Sequence, residues 1–132
     1  MNNEASQIPG MTDIASEDSE LRLEKQVCFS LYSASNALVR AYKPLLKTIG
    51  LTYLQYMTMM VLWERTPMTV KEIGDKLHLD SGTLTPLIKR LQDKELIKKV
   101  RSDKDERKVY VHLTEQGSQL EDKAKEIPGA LM

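Results

Sequence analysis

Cys28, within EKQVCFSLYSA at residues 24–34, is the one cysteine in a chain of 132 residues. A single thiol in a cytosolic domain is usually a small core side chain, and it becomes a redox group only where its surroundings favour the thiolate. Tyr32, Ser35, Val39 and Tyr42 follow Cys28 at alternating i+4 and i+3 steps. On a helix that spacing puts phenol and hydroxyl donors along the cysteine's own stripe, and hydrogen bonds donated to a thiolate stabilise the charged form. Cys28 and Tyr42 are nevertheless fourteen residues apart. That is roughly 21 Å along one helix at ~1.5 Å per residue, so the two could meet only across an antiparallel dimer.

Other chemistry is poorly represented. His78 and His112 have no acid or thiol at metal-ligand spacing, and the seven methionines read as core filler, so neither a metal nor a cofactor is expected. There is no phosphate loop, nucleophile elbow or paired-carboxylate motif, which argues against an enzyme. A lone cysteine cannot form an intramolecular disulfide and points to a reducing cytoplasm. No apolar stretch reaches the eighteen residues of a membrane span, and the first twenty residues lack the basic start of a signal peptide.

Formal net charge is zero, but it is unevenly spread: residues 1–24 hold six acids and one base, and residues 25–132 hold thirteen acids and eighteen bases. Residues 1–20, rich in Ser, Asn and Glu and free of aromatics, read as a disordered acidic tail in which Met11 is an alternative start. The bases gather at residues 98–108, where Lys98, Lys99, Arg101, Lys104, Arg107 and Lys108 face three acids, a balance suited to phosphate contact.

The elements that must position these groups follow from periodicity. Val27, Leu31, Ala34, Leu38, Tyr42 and Leu45 give a long amphipathic helix from about Leu21 to Lys47, closed by Gly50. Thr52 with Gln55, and Thr69 with Glu72, have capping-box spacing, flanked by the hydrophobic staples Leu51 with Tyr56 and Met68 with Ile73, and start a second, interior helix and a short third one. A fourth helix carries Leu84, Leu87, Ile88 and Leu91 on one face, and Pro86 places its start near Gly82 or Thr83. Val109, Val111 and Leu113 then alternate with Tyr110 and His112, making the second arm of a β-hairpin. From Thr114 a last helix is expected to run to Pro128-Gly129.

Two short helices joined by HLDSGT and followed by a basic hairpin make a winged helix-turn-helix, so the expected fold is mainly α with a small β wing. The fourth helix would enter the major groove, presenting Ser81, Thr83, Thr85 and Lys89, with Pro86 and Arg90 beside them. Leu84 and Leu87 belong to the core.

TVKEIGDKLHLDSGTLTPLIKRLQDKELIKKVRSDKDERKVYVHLTEQG resembles the DNA-binding lobe of the MarR family. With QVCFSLYSAS, YKPLL and LTYLQY ahead of it, the chain resembles the organic-hydroperoxide-sensing, OhrR-type branch over residues 24–130. The resemblance implies a homodimer on an inverted-repeat operator, with residues 21–132 as one domain. Residues 21–50 and 114–132 would form the dimerisation helices, and 52–113 the winged helix-turn-helix. Cys28 would be the sensing thiol, accepting hydrogen bonds from Tyr42 and Tyr53 of the partner, with Tyr32 nearby. Arg107 would reach the minor groove from a wing tip shaped by Asp105 and Glu106, while Lys98, Lys99, Arg101 and Lys104 meet phosphates. An organic hydroperoxide would be the signal and a low-molecular-weight thiol the trapping agent, since no second cysteine is available. Family members usually continue past the IPG break into a further helix, whereas this chain stops at Met132. Two alternatives stay open: a repressor released by a small phenolic ligand, with Cys28 incidental, and a thiol peroxidase.

Overall fold

The computed structural model describes residues 19–131 together with 9, 10, 12 and 16. Met11 and most of the expected acidic tail lie outside the described residues. The chain forms two compact units, Met1–Leu38 and Val39–Met132.

A single 3-10 turn, Leu23–Lys25, precedes α1 at Val27–Lys47. The first helix therefore starts six residues later than its periodicity suggests. Gln26 breaks the run by adopting an extended backbone, with φ −85° and ψ 122°. Its side-chain amide donates to the carbonyls of Glu20 and Arg22, local bonds that compete with helix continuation.

In the second unit the chain turns at Gly50, whose φ of +70° suits glycine, and enters α2 at Tyr53–Glu64. Both capping boxes form as expected. Thr52 accepts from the Gln55 N–H while the Gln55 side chain accepts from the Thr52 N–H, and Thr69 with Glu72 does the same for α3 at Val70–Leu77. Helix α4, Ser81–Asp93, begins after Asp80, whose carboxylate accepts from the Thr83 N–H at 2.8 Å. Pro86 consequently sits inside α4 rather than in its first turn. The missing N–H leaves the Gly82 carbonyl without its helical donor, and Gly82 is exposed, so water can take that place.

The hairpin pairs β2, Ile97–Arg101, with β3, Val109–Leu113, in antiparallel register from Ile97 opposite Leu113 to Arg101 opposite Val109. A third strand was not anticipated. β1, Met68–Thr69, pairs with the other edge of β3, Met68 opposite Val111, giving the order β1-β3-β2. Its two residues read as a staple and a cap, and their pairing depends on a partner more than forty residues away.

The last helical stretch also differs from expectation. α5, Glu115–Ala124, ends four residues before Pro128, and α6, Ile127–Leu131, contains Pro128 and Gly129 instead of being stopped by them. Pro128 is the second residue of α6, where a missing N–H costs no intrahelical bond.

Leu46, Met59, Leu62, Ile73, Leu84, Leu91, Ile97 and Val111 form the inaccessible centre of this unit, drawing on every helix from α1 to α4 and on both hairpin arms. Each such side chain contributes roughly 1.5–3 kcal/mol by leaving water. The Trp63 indole N–H donates to the Gly117 carbonyl at 2.9 Å, fastening α5 to α2. Helix α4 lies between two left-handed residues that are not glycine, His78 at φ 56° and Glu95 at φ 62°.

Candidate nucleic-acid interface and thiol site

α4 separates its two faces cleanly. Leu84, Leu87, Ile88 and Leu91 are buried, while Ser81, Thr83, Thr85, Pro86, Lys89 and Arg90 are exposed. Ser81, Thr85 and Lys89 fall on one i+4 row, a strip of two hydroxyls and an ammonium. The caps of both helices are carboxylate-assisted. Hydrogen bonds from the Thr69 side chain and backbone hold the Glu72 carboxyl below its ordinary range, and those from Thr83 do the same for Asp80. Because both values are depressed in the folded state, these caps stabilise at neutral pH, and their contribution is lost only as the pH falls through the lowered values.

The wing is braced from within. Ser102 Oγ accepts from the backbone N–H groups of Lys104 and Asp105, and the Ser102 N–H donates to the Lys108 carbonyl at 2.9 Å. Asp105 Oδ1 takes the Arg107 backbone N–H at 3.0 Å and its Nε–H at 3.3 Å. The Arg107 side chain remains 91% exposed, aimed but not covered. Arg101 donates to the Glu106 carbonyl, so one of its N–H groups supports the loop, which a reading of Arg101 as a phosphate ligand alone overlooks. Lys98, Lys99 and Lys104 are exposed.

In the first unit Cys28 is exposed on α1. Around it Val27 is 75% exposed, Leu31 67% and Tyr32 64%, an apolar stripe with no cover. In the second unit Tyr42 and Tyr53 touch, ring centroids 5.2 Å apart and tilted by 57°. Tyr56, which was assigned only a staple role, joins them with its ring 6.0 Å from that of Tyr42. Burial, and then the neighbouring phenols Tyr42 and Tyr53, push the Tyr56 hydroxyl above the ordinary phenol range. Its position one helical turn after Thr52, beside Tyr53, was the available signal. Among the described residues there is no group of side chains suited to a metal ion, and no helix is long and apolar enough to cross a membrane.

The family model for the transcriptional regulator SarA/Rot matches residues 40–124. Over 112 residues the chain is 47% identical to the organic hydroperoxide resistance transcriptional regulator of Bacillus subtilis, covering 85% of this chain and 76% of that one. The chain belongs to the MarR family, in its OhrR-type branch. The regulator is also 40% identical over 99 residues to the HTH-type transcriptional regulator MgrA of Staphylococcus aureus, covering 74% of this chain and 67% of that one. Among solved structures it is similar to AbfR of Staphylococcus epidermidis. Reduced AbfR bound to DNA matches at 37% identity with a TM-score of 0.78, covering 86% of this chain and 82% of that one. Overoxidised AbfR, also bound to DNA, matches with the same TM-score of 0.78 and covers 83% of that chain. The fold is thus that of the winged-helix MarR regulators.

Proposed function

We propose that this regulator is a cytoplasmic, homodimeric repressor that binds an inverted-repeat operator when reduced and leaves it when an organic hydroperoxide oxidises Cys28. The observation that carries the reading is the exposed thiol on an uncovered apolar stripe. The thiol stands on an uncovered apolar stripe of one unit, and the paired phenols Tyr42 and Tyr53 stand in the other. A second copy laid antiparallel on the stripe covers Val27 and Leu31 and brings its own Tyr42 and Tyr53 to Cys28.

The thiolate attacks the outer peroxide oxygen, an S–O bond forms, the O–O bond breaks, and the alkoxide leaves and is protonated to the alcohol. Cys28 becomes a sulfenic acid. A low-molecular-weight thiol then forms an S–S bond with it, and the hydroxyl departs as water. The mixed disulfide is bulky, and wedged at the dimer seam it displaces two recognition helices whose half-sites lie about one helical turn, ~34 Å, apart. Overoxidised AbfR is bound to DNA in its solved structure, which supports assigning release to the bulky adduct rather than to added oxygen alone. This is regulation and not turnover, so the reading is a sensor and not an enzyme.

One observation favours a second reading, release by a phenolic or other aromatic anion. A 620 Å³ cleft is lined by Val39, Leu46 and Tyr53 with Arg40, Lys43 and Lys47 at its sides. An electrophoretic shift with operator DNA separates the readings. Hydroperoxide with a small thiol present should release the protein, and a salicylate-like compound without peroxide should not.

On DNA, Arg107→Ala is expected to weaken operator binding about ten- to a hundredfold, the usual worth of a good arginine contact. Titration of labelled operator checks this. Wild-type affinity in Arg107→Ala, Lys89→Ala and Thr85→Ala together would remove the DNA assignment. At the sensor, Tyr42→Phe or Tyr53→Phe should keep operator binding and slow hydroperoxide release by about tenfold each, because one donor is lost while the packing ring stays. The time course of operator loss after hydroperoxide reads the effect.

A further inference from the structure

Gln55 and Thr58 are the buried polar side chains of the second unit's core among the described residues. Thr58 is satisfied within its own helix, donating to the Leu54 carbonyl at 2.9 Å. Gln55, 3% exposed, is not confined to its own turn. Its Oε1 accepts the Thr52 N–H at 3.1 Å and also the ammonium of Lys94 at 2.8 Å. The same ammonium donates to the Gly50 carbonyl. Lys94 closes the C-terminal end of α4, where its backbone N–H bonds the Arg90 and Gln92 carbonyls. One cation thus ties the end of the recognition helix to the turn between α1 and α2.

We propose that Lys94 is a positioning residue that couples the tyrosine pair at the α1–α2 junction to the recognition helix. Tyr53 lies between Thr52 and Gln55 in the first turn of α2, and its ring rests on Tyr42 of α1. A shift of either tyrosine moves the turn that holds Gly50 and Gln55, the two acceptors of Lys94. The side chains that α4 buries, Leu84, Leu87, Ile88 and Leu91, make contacts without direction, whereas the two charge-assisted hydrogen bonds of the exposed Lys94 to the Gly50 carbonyl and the Gln55 amide oxygen transmit both direction and register. A buried amide oxygen shared between a helix cap and a distant cation adds little that an apolar pair would not add to stability, and what it supplies is a defined relative position. The inference rests on the redox reading above, since it needs a signal that reaches Tyr42 and Tyr53.

The test measures operator Kd for reduced protein and for protein treated with hydroperoxide and a small thiol, and compares the ratio of the two in wild type, Lys94→Met and Lys94→Arg, with Cys28 oxidation followed by intact mass. Allosteric coupling factors commonly run from about 5 to 150. Lys94→Met is expected to cut the ratio at least fivefold while Cys28 oxidises at the wild-type rate, and Lys94→Arg, which keeps a charged donor, to restore most of it. A Lys94→Met protein with the wild-type ratio overturns the coupling, and so does one that weakens both states alike, as a simple phosphate contact would. A Lys94→Met protein whose Cys28 no longer oxidises places Lys94 in the sensing step and overturns it too. Wild-type protein that hydroperoxide and a small thiol convert to the mixed disulfide without release overturns the redox reading and the coupling together. Should Lys94→Met prove too unstable to assay, Lys94→Gln, a shorter neutral donor, is read by the same criteria.

Discussion

Cys28→Ser protein is expected to bind its operator as wild type does and to stay bound in organic hydroperoxide, a loss of the whole response. Serine fills the exposed position on α1 without disturbing its packing, and its hydroxyl cannot climb the sulfur oxidation ladder. The measurement is operator occupancy during a hydroperoxide titration in the presence of a small thiol, with intact mass of the protein recorded at each step. In wild type, loss of occupancy should follow appearance of the small-thiol adduct. If the serine variant is released as readily as wild type, Cys28 is incidental, and the cleft beside Tyr53 becomes the place to look for the signal.

The second large effect falls on the fold. Gly117 lies in the first turn of α5, its N–H taken by Thr114 Oγ1 at 3.0 Å and its carbonyl by the Trp63 indole. A Cβ built there would lie inside the contact distance of the Leu96 carbonyl oxygen and 3.3 Å from Leu113 Cδ2. The obstacle is backbone, and the Leu96 carbonyl is itself held by the Thr114 N–H at 3.0 Å, so neither side can yield alone. Gly117→Ala must therefore lift α5 from the hairpin, losing the Thr114 cap and the Trp63 bond along with the packing. Summed from ordinary values for overpacking, a cap and a hydrogen bond, the cost is about 3–5 kcal/mol. Against a total of roughly 5–15 kcal/mol this lowers the melting temperature by about 10–20 °C, which a thermal scan followed by circular dichroism would register. A shift under about 3 °C would mean that the close approach of α5 to Leu96 is not maintained in solution.

Those two residues mark what a sequence can and cannot disclose here. The capping boxes at Thr52 and Thr69, the buried stripe of α4 and the alternation of β3 are local patterns, and each produced the element it announced. Strand β1 is different in kind, because Met68 and Thr69 become a strand only by pairing with Val111 and Tyr110. The close approach at Gly117 and the reach of Lys94 to Gln55 are likewise long-range. Nothing in EQGS announces the Leu96 carbonyl above it. At the sensor, periodicity could place Cys28 and Tyr42 on one stripe, but the tyrosines entered through family resemblance. The contact of Tyr42 with Tyr53 depends on how α2 folds back after Gly50. Tyr56 was hidden by its plain role as an apolar staple. Breaks were the least legible feature: Gln26 and Pro128 act through local backbone choices that hydrophobic spacing does not register.

The uncovered stripe of Val27, Leu31 and Tyr32 around Cys28 has a consequence for when the protein can respond at all. In the antiparallel arrangement proposed above, a newly made chain's thiol lacks the partner's Tyr42 and Tyr53 that activate it, so the sensor is created by association and not by folding. Its abundance at low concentration rises with the square of the chain concentration, as mass action requires of a dimer. Peroxide would then find few reactive thiols among unassembled chains, and the cell's sensitivity would be set jointly by how much regulator it makes and how much oxidant it meets.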